Sequence, residues 1–156
     1  EVFMLVKNQM YGELLGDVAM SVGALCERKG VVFVCSEPQC ALLMTGDYAR
    51  LRQMLLAVLD NAVKYSPPGE IAIDIRSEAG HTELRIRDHG PGLPDGQAEL
   101  IFERYRRGEH TSPVPGGTGL GLYVARQIVQ AHDGKLWLAE HGPDGCTFIL
   151  TLPTVA

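Results

Sequence analysis

Two neighbouring segments, EIAIDIRSE at residues 70–78 and TELRIRD at 82–88, alternate apolar and polar side chains on either side of AGH. Successive side chains on a strand point to opposite faces, so the alternation predicts an antiparallel pair with one apolar face. That face must be covered. The rest of the chain has to supply more strands to widen the sheet and amphipathic helices to bury its apolar side.

Both are legible. Leu14, Val18, Val22 and Leu25 recur at helical spacing ahead of Gly30, which predicts a first helix with a glycine stop. Asp47 suits the N-cap of a longer helix whose core stripe is Leu51, Leu55, Val58, Leu59 and Ala62 and which ends before SPPG. This stripe leaves a second face to Arg50, Met54, Ala57, Asn61, Lys64 and Tyr65. GLGLYVARQIVQAHDG reads as a helix led and stopped by glycine. VVFVCS at 31–36 and ALLMTGD at 41–47 read as short strands, and KLWLAEHG with CTFILTLP as a closing hairpin. The expected order is helix, two short strands, helix, hairpin, long loop, helix, hairpin. This is an α/β sandwich, one sheet covered on one face by three helices.

The composition narrows the class. A chain of 156 residues, 46% hydrophobic and 21% charged, is one soluble globular domain, and no apolar run approaches the roughly 18 residues that span a bilayer. A net charge of −5 argues against a broad nucleic-acid surface, although a local arginine cluster could hold a small polyanion. Cys26, Cys35, Cys40 and Cys146 have no CxxC spacing and fit buried free thiols, not a zinc site or a disulfide framework. The opening EVFMLVKNQMYG has neither a signal-peptide pattern nor an initiator methionine and reads as a piece of something longer.

Four features carry possible chemistry. Ala57, Asn61, Lys64 and Tyr65 share one side of a helix end, where an amide carbonyl suits magnesium and an ammonium suits a phosphate. A solvated helix end with a lysine matched to the dipole gives the same pattern. In RDHGPG, Asp88 ends a strand beside Gly90 and Gly92, which fits a carboxylate reading the amine of a flat ring, or an ordinary Asx turn. GGTGLGL at 116–122 offers unpaired N–H groups at a helix N-terminus, an anion site or a hinge. IFERYRRG carries Arg104, Arg106 and Arg107 among aromatic residues, fit to close over a polyphosphate or to form a solvated charge run. Residues 89–119 otherwise lose periodicity, a length unusual for a loop without a task, with a short helix expected in QAELIFERYRR.

Taken in order, DNAVKYSP, DHGPGLP, IFERYRR and GGTGLGL resemble the N, G1, F and G2 boxes of the catalytic ATP-binding domain of sensor histidine kinases, and the closing strands are similar too. The resemblance covers the chain from about residue 11 to Pro153. It implies a Bergerat-type two-layer α/β sandwich, with a mixed, mostly antiparallel sheet of about five strands, three helices and a mobile ATP lid at about 92–118. It assigns Asn61 to Mg2+, Lys64 and Tyr65 to phosphate and ribose, Asp88 to the adenine amine, and Gly90 and Gly92 to the base. Gly117, Thr118, Gly119, Leu120 and Gly121 cradle the triphosphate, and Arg107 lies near the γ-phosphate. The implied reaction is donation of the γ-phosphoryl group of ATP to a histidine on a separate helical dimerisation domain, with a response regulator receiver domain downstream. The expected setting is cytoplasmic, with no nucleic-acid partner and no membrane contact by this domain; anchoring of the parent protein stays open.

The chain departs from the family at two places. Arg106 stands where an aromatic residue is usual, and Ala57 stands where a second asparagine is usual. ATP-hydrolysing relatives carry a glutamate general base at that second position, so Ala57 argues against a hydrolase. Three rivals remain: a nucleotide-binding regulatory module with weak or lost kinase activity, a serine kinase of anti-sigma type, and a DNA- or client-dependent ATPase, which Ala57 disfavours. None of His81, His89, His110, His132 and His141 has the helical context of a phosphoacceptor.

Overall fold

The computed structural model describes residues 2–6, 12–35, 42–78, 80–90, 92, 98–103, 121–142 and 145–153. The chain runs β1 (Val2–Val6), α1 (Gly12–Ser21), α2 (Gly23–Lys29), β2 (Val31–Cys35), β3 (Leu42–Thr45), α3 (Tyr48–Tyr65), β4 (Gly69–Glu78), β5 (His81–Arg87), a 3₁₀ turn (Leu100–Phe102), α4 (Gly121–Ala131), β6 (Lys135–Gly142) and β7 (Gly145–Pro153). Five strands form one sheet in the order β2-β4-β5-β7-β6. β2 and β4 are parallel, as a crossover through α3 requires, and the other neighbours are antiparallel.

The alternation of 70–88 decides which face is covered. Ile71, Ile73 and Ile75 of β4, Leu84 and Ile86 of β5, Leu136 and Leu138 of β6, and Phe148, Leu150 and Leu152 of β7 are buried on one side. Against them pack Leu14, Leu15 and Val18 of α1, Leu51, Leu55, Val58, Leu59 and Ala62 of α3, and Ala125, Ile128 and Val129 of α4. The opposite face carries charge: Arg76 pairs with Asp74 at 3.0 Å and Arg85 with Glu83 at 3.2 Å, and the strand register sets Asp74 opposite Arg85 and Arg76 opposite Glu83.

The structure corrects the sequence reading at four points. The first helix is two, because α1 ends at Ser21 and α2 begins at Gly23, a weak helix former. Val22 N donates to Val18 O and Cys26 N to Val22 O, so the bend between them keeps these backbone bonds. Met54, placed on the second face of α3 with Arg50, Asn61 and Lys64, is 1% exposed, and Val63, outside the expected core stripe, is fully buried. Helix α3 lies between α1 and α4 as well as over the sheet, so apolar contact wraps around much more of it than a single stripe. The opening VFMLV, unassigned from its pattern, is strand β1 and pairs antiparallel with β3 in a separate two-stranded sheet. At the end of α4 the left-handed residue is Asp133 (φ 59°), not Gly134. Gly134 is needed for space, since a Cβ there would stand 2.1 Å from the Thr151 carbonyl of β7. The expected stop at Gly30 does hold, with φ 68° and ψ 33°.

Candidate functional site

The site is assembled from both ends of α3 outward. Asp47 caps its start, Oδ1 accepting from Arg50 N at 3.2 Å. At its other end Ser66 is buried and its amide donates to Ala62 O at 3.1 Å. Lys29, in the last turn of α2, donates from Nζ to the Lys64 carbonyl at 2.5 Å and brings a cation to the negative end of the α3 dipole.

On that last turn Asn61, Lys64 and Tyr65 are half-buried. Lys64 Nζ lies 2.8 Å from Asp60 Oδ2, an i,i+4 pair on its own helix. Such pairs contribute only about 0.2–0.5 kcal/mol, so the ammonium is available to a more highly charged ligand at little cost.

Asp88 follows β5 and is 4% exposed. Its Oδ1 accepts from Gly90 N at 3.0 Å and Cys146 N at 3.1 Å, and its own amide donates to Cys146 O at 3.0 Å. Burial pushes its carboxyl above the usual carboxylate range, while the two amides and the neighbouring His89 pull it part of the way back. Among the described residues no donor reaches the second oxygen, Oδ2.

Close backbone contacts bring the separate pieces together. A Cβ on Gly90 would meet the Tyr65 carbonyl at 2.4 Å, so the loop after Asp88 lies directly against the end of α3. A Cβ on Gly145 (φ +125°) would meet the Asp88 carbonyl at 2.2 Å, which seats the loop on the start of β7. Gly92 has φ +74°, a left-handed position that glycine fills without strain. Gly121 opens α4, and a Cβ there would contact Ala57 Cβ at 3.7 Å, one turn before Asn61. Asn61, Lys64, Tyr65, Asp88, Gly90 and Gly121 therefore come from segments that meet around α3.

Arg107, Gly117, Thr118, Gly119 and Leu120 lie outside the described residues, as do Arg104 and Arg106. Of the expected lid, Gly92 and residues 98–103 are described. Among the described residues of QAELIFERYRR, 98–103, the expected short helix is a 3₁₀ turn at Leu100–Phe102, extended again at Glu103 (ψ 153°). Its Phe102 is 3% exposed and packs edge-on against Phe148, ring centroids 6.2 Å apart.

Sequence reasoning missed Asp60, Lys29, Gly145 and the Cys146 amide. Asp60 could have been found by its i,i+4 spacing to Lys64. The Cys146 amide leaves no trace in a side-chain pattern. Among the described residues no three His, Cys, Asp or Glu side chains gather into a metal cluster. The Asn61 carbonyl is a hard oxygen of the kind Mg2+ accepts as one of few protein ligands when phosphates and water fill the rest of its shell.

The sequence profile described as histidine kinase-, DNA gyrase B-, and HSP90-like ATPase matches residues 46–156. The sensor protein KdpD of Escherichia coli (strain K12) is 40% identical over 119 residues, 76% of this chain and 13% of KdpD. The signal transduction histidine-protein kinase/phosphatase MprB of Mycobacterium avium (strain 104) is 39% identical over 116 residues, 70% of this chain and 22% of MprB. The chain thus spans less than a quarter of the length of either relative. The solved mycobacterial sensor histidine kinase MprB matches with a TM-score of 0.76 at 32% identity, over 88% of this chain and 93% of that one. Full-length ShkA in complex with AMPPNP matches with a TM-score of 0.75 at 27% identity, over 92% of this chain and 30% of that one. With an α/β fold matching histidine kinase catalytic domains, the chain belongs to the family of histidine kinase-, DNA gyrase B- and HSP90-like ATPases.

Proposed function

We propose that this chain binds Mg-ATP between the last turn of α3, the strip from Asp88 to Gly92 and the N-terminus of α4, and donates the γ-phosphoryl group to a histidine on a separate helical domain. The observation that carries the reading is Asp88: a buried carboxylate with one oxygen tied to two backbone amides, its second oxygen reached by no donor among the described residues. An acceptor so placed suits the exocyclic amine of adenine, and Gly90 and Gly92 let a flat ring approach.

In this reading Asn61 ligates the magnesium, which neutralises phosphate charge when bound. Lys64 exchanges Asp60 for phosphate, and Tyr65 contacts the ribose. Gly117, Thr118, Gly119, Leu120 and Gly121 hold the triphosphate at the positive end of α4, and Arg107 faces the γ-phosphate. Phosphoryl transfer asks the protein mainly to position groups and neutralise charge, so a site rich in donors without a nucleophile of its own suits it. Ala57 supplies no base for water, which protects the γ-phosphate for the acceptor histidine. The partners are a phosphoacceptor helical domain and, beyond it, a response regulator receiver domain, with this domain on the cytoplasmic side; among the described residues no helix is long and apolar enough to cross a membrane. The AMPPNP bound by ShkA supports the choice of nucleotide.

A second reading, a nucleotide-binding regulatory module with little transfer activity, has Ala57 in its favour, because a metal contact at that position is absent. Calorimetric titration tests the shared step: the chain binds ATP in the presence of Mg2+ and Asn61→Ala loses the magnesium-dependent part. Equal affinity of Asn61→Ala and the unmodified chain overturns the metal assignment. Labelled phosphate appearing on a histidine, when the full-length protein is supplied with ATP, separates a kinase from a binding module.

A further inference from the structure

Outside the residues given roles above, one side chain is held from several directions. Arg126, midway along α4, donates from Nε to the Leu136 carbonyl of β6 at 3.1 Å. Its Nη1 and Nη2 donate to the two carboxylate oxygens of Glu99 at 2.8 and 3.2 Å, the bidentate geometry that gives an arginine–carboxylate pair its directionality. The flat guanidinium also lies on the ring of Phe102, 4.0 Å from its centroid. Helix, strand, turn and ring therefore converge on one cation.

The pair is unequal in a useful way. The Arg126 side chain is 20% exposed and Glu99 is 74% exposed, so the arginine is the fixed partner and the glutamate the one captured. The hydrogen bond from Arg126 holds the Glu99 carboxyl below the usual range. An exposed ion pair by itself contributes little. Here the aromatic contact, the carbonyl and the buried Phe102 act on the same few residues.

What is tied down matters for the nucleotide. The chain leaves the Asp88 strip at Gly92, is fastened to α4 at residues 98–103, and joins α4 again at Gly121 beside Ala57. Residues 98–103 are thereby held on α4 before any ligand arrives, so binding does not have to order them.

We propose that Arg126 is a positioning residue for nucleotide binding: by clamping Glu99 and Phe102 to α4, it holds the segment 98–103 on the helix whose N-terminus faces the site. The inference rests on the Mg-ATP reading above. It concerns neither a phosphate contact nor a catalytic role for Arg126, whose guanidinium is already engaged.

The test uses two readouts on this chain. Phe102 N donates to Glu99 O at 3.2 Å and Glu103 N to Leu100 O at 3.0 Å, so hydrogen exchange of these two amides without nucleotide reports the clamp. Calorimetric affinity for Mg-ATP reports its consequence. Arg126→Ala speeds exchange at both amides and lowers affinity on the order of tenfold. Arg126→Lys, which keeps the charge without the fork, falls between. The double variant Arg126→Ala with Glu99→Gln is no worse than Arg126→Ala alone, because the two residues act as one unit. Arg76→Ala, which removes an exposed pair on the far face of the sheet, changes neither readout.

Faster exchange with unchanged affinity overturns the proposal and leaves a purely structural clamp; unchanged exchange overturns the clamp itself. Where Arg126→Ala does not fold, Glu99→Gln decides, and full affinity in that folded variant counts against the proposal. Failure of the unmodified chain to bind Mg-ATP overturns the nucleotide reading, and this inference with it. Binding that no clamp variant alters overturns this inference alone.

Discussion

Asp88 and Cys146 hold one another by two hydrogen bonds: the Cys146 amide donates to Asp88 Oδ1 at 3.1 Å, and the Asp88 amide donates to the Cys146 carbonyl at 3.0 Å. The side chain of a candidate binding residue is thus fixed by the backbone of a strand far along the chain. Oδ1 is occupied by amides, so only Oδ2 can serve a ligand, and the carboxyl group is oriented before any ligand arrives.

That arrangement carries a cost in stability that depends on pH. Burial raises the Asp88 carboxyl above its ordinary value of 3.8. The folded chain therefore holds this proton more tightly than the unfolded chain, and stability from this group is fully present below the ordinary value and lost as pH rises through the raised one. Asp88→Asn keeps an oxygen for both amides and has no charge to desolvate. Thermal unfolding between pH 4 and 7 should show Asp88→Asn gaining on the unmodified chain as pH rises, while its adenine recognition falls. A wild-type chain more stable than Asp88→Asn at pH 7 contradicts this account.

Gly90 is a matter of space. An added methyl group at Gly90 would stand 2.4 Å from the Tyr65 carbonyl, a backbone atom that cannot swing away. Gly90→Ala should cost about 1–3 kcal/mol by overpacking and should separate the end of α3 from the Asp88 loop, weakening nucleotide binding as well. Gly23, which has no heavy atom within 4 Å of an added Cβ, is the matched control. Gly23→Ala should be neutral or stabilising by up to about 1 kcal/mol in urea denaturation. Equal losses from both substitutions would show that glycine content, not contact, governs the result.

Much of this is legible from the chain, and its limits have physical causes. Ile71, Ile73, Ile75, Leu84 and Ile86 alternate because one face of their strands is covered, so the pattern reports the sheet directly. Met54 and Val63 lie outside the stripe of Leu51, Leu55, Val58, Leu59 and Ala62 yet are buried, because the stripe rule assumes one packed face, whereas α3 also meets α1 and α4. Strand β1 has no alternation to show and is defined by its pairing with β3. At the site, Asn61, Lys64 and Tyr65 are readable as neighbours on a helix turn, and Asp88 as a strand end beside glycines. The Cys146 amide and the Glu99–Arg126 pair are not, because each depends on segments joined only by the fold.

Cys146 should be a slow nucleophile despite its partial exposure. Desolvation and, second, the Asp88 charge push its thiol up to about 11, so little thiolate exists near neutral pH. Alkylation by iodoacetamide at pH 8, followed peptide by peptide, should proceed slowly at Cys146 and faster in Asp88→Asn, where the charge is gone. An unchanged rate in that variant would remove Asp88 from the cause.

Thr82 offers a test of the core itself. The residue is fully buried in β5 between Leu152 of β7 and Ser77 of β4 in the strand register, and its Oγ1 has no hydrogen-bond partner among the described residues. A buried hydroxyl without a partner costs its desolvation and returns nothing. Valine keeps the β-branched shape that suits a strand and removes only the orphaned oxygen. Thr82→Val should therefore raise stability by about 1 kcal/mol, seen as a higher urea midpoint at unchanged slope. A lower midpoint would mean that the hydroxyl is satisfied in solution, and that the packed face of β5 is less dry than its neighbours Leu84 and Ile86 imply.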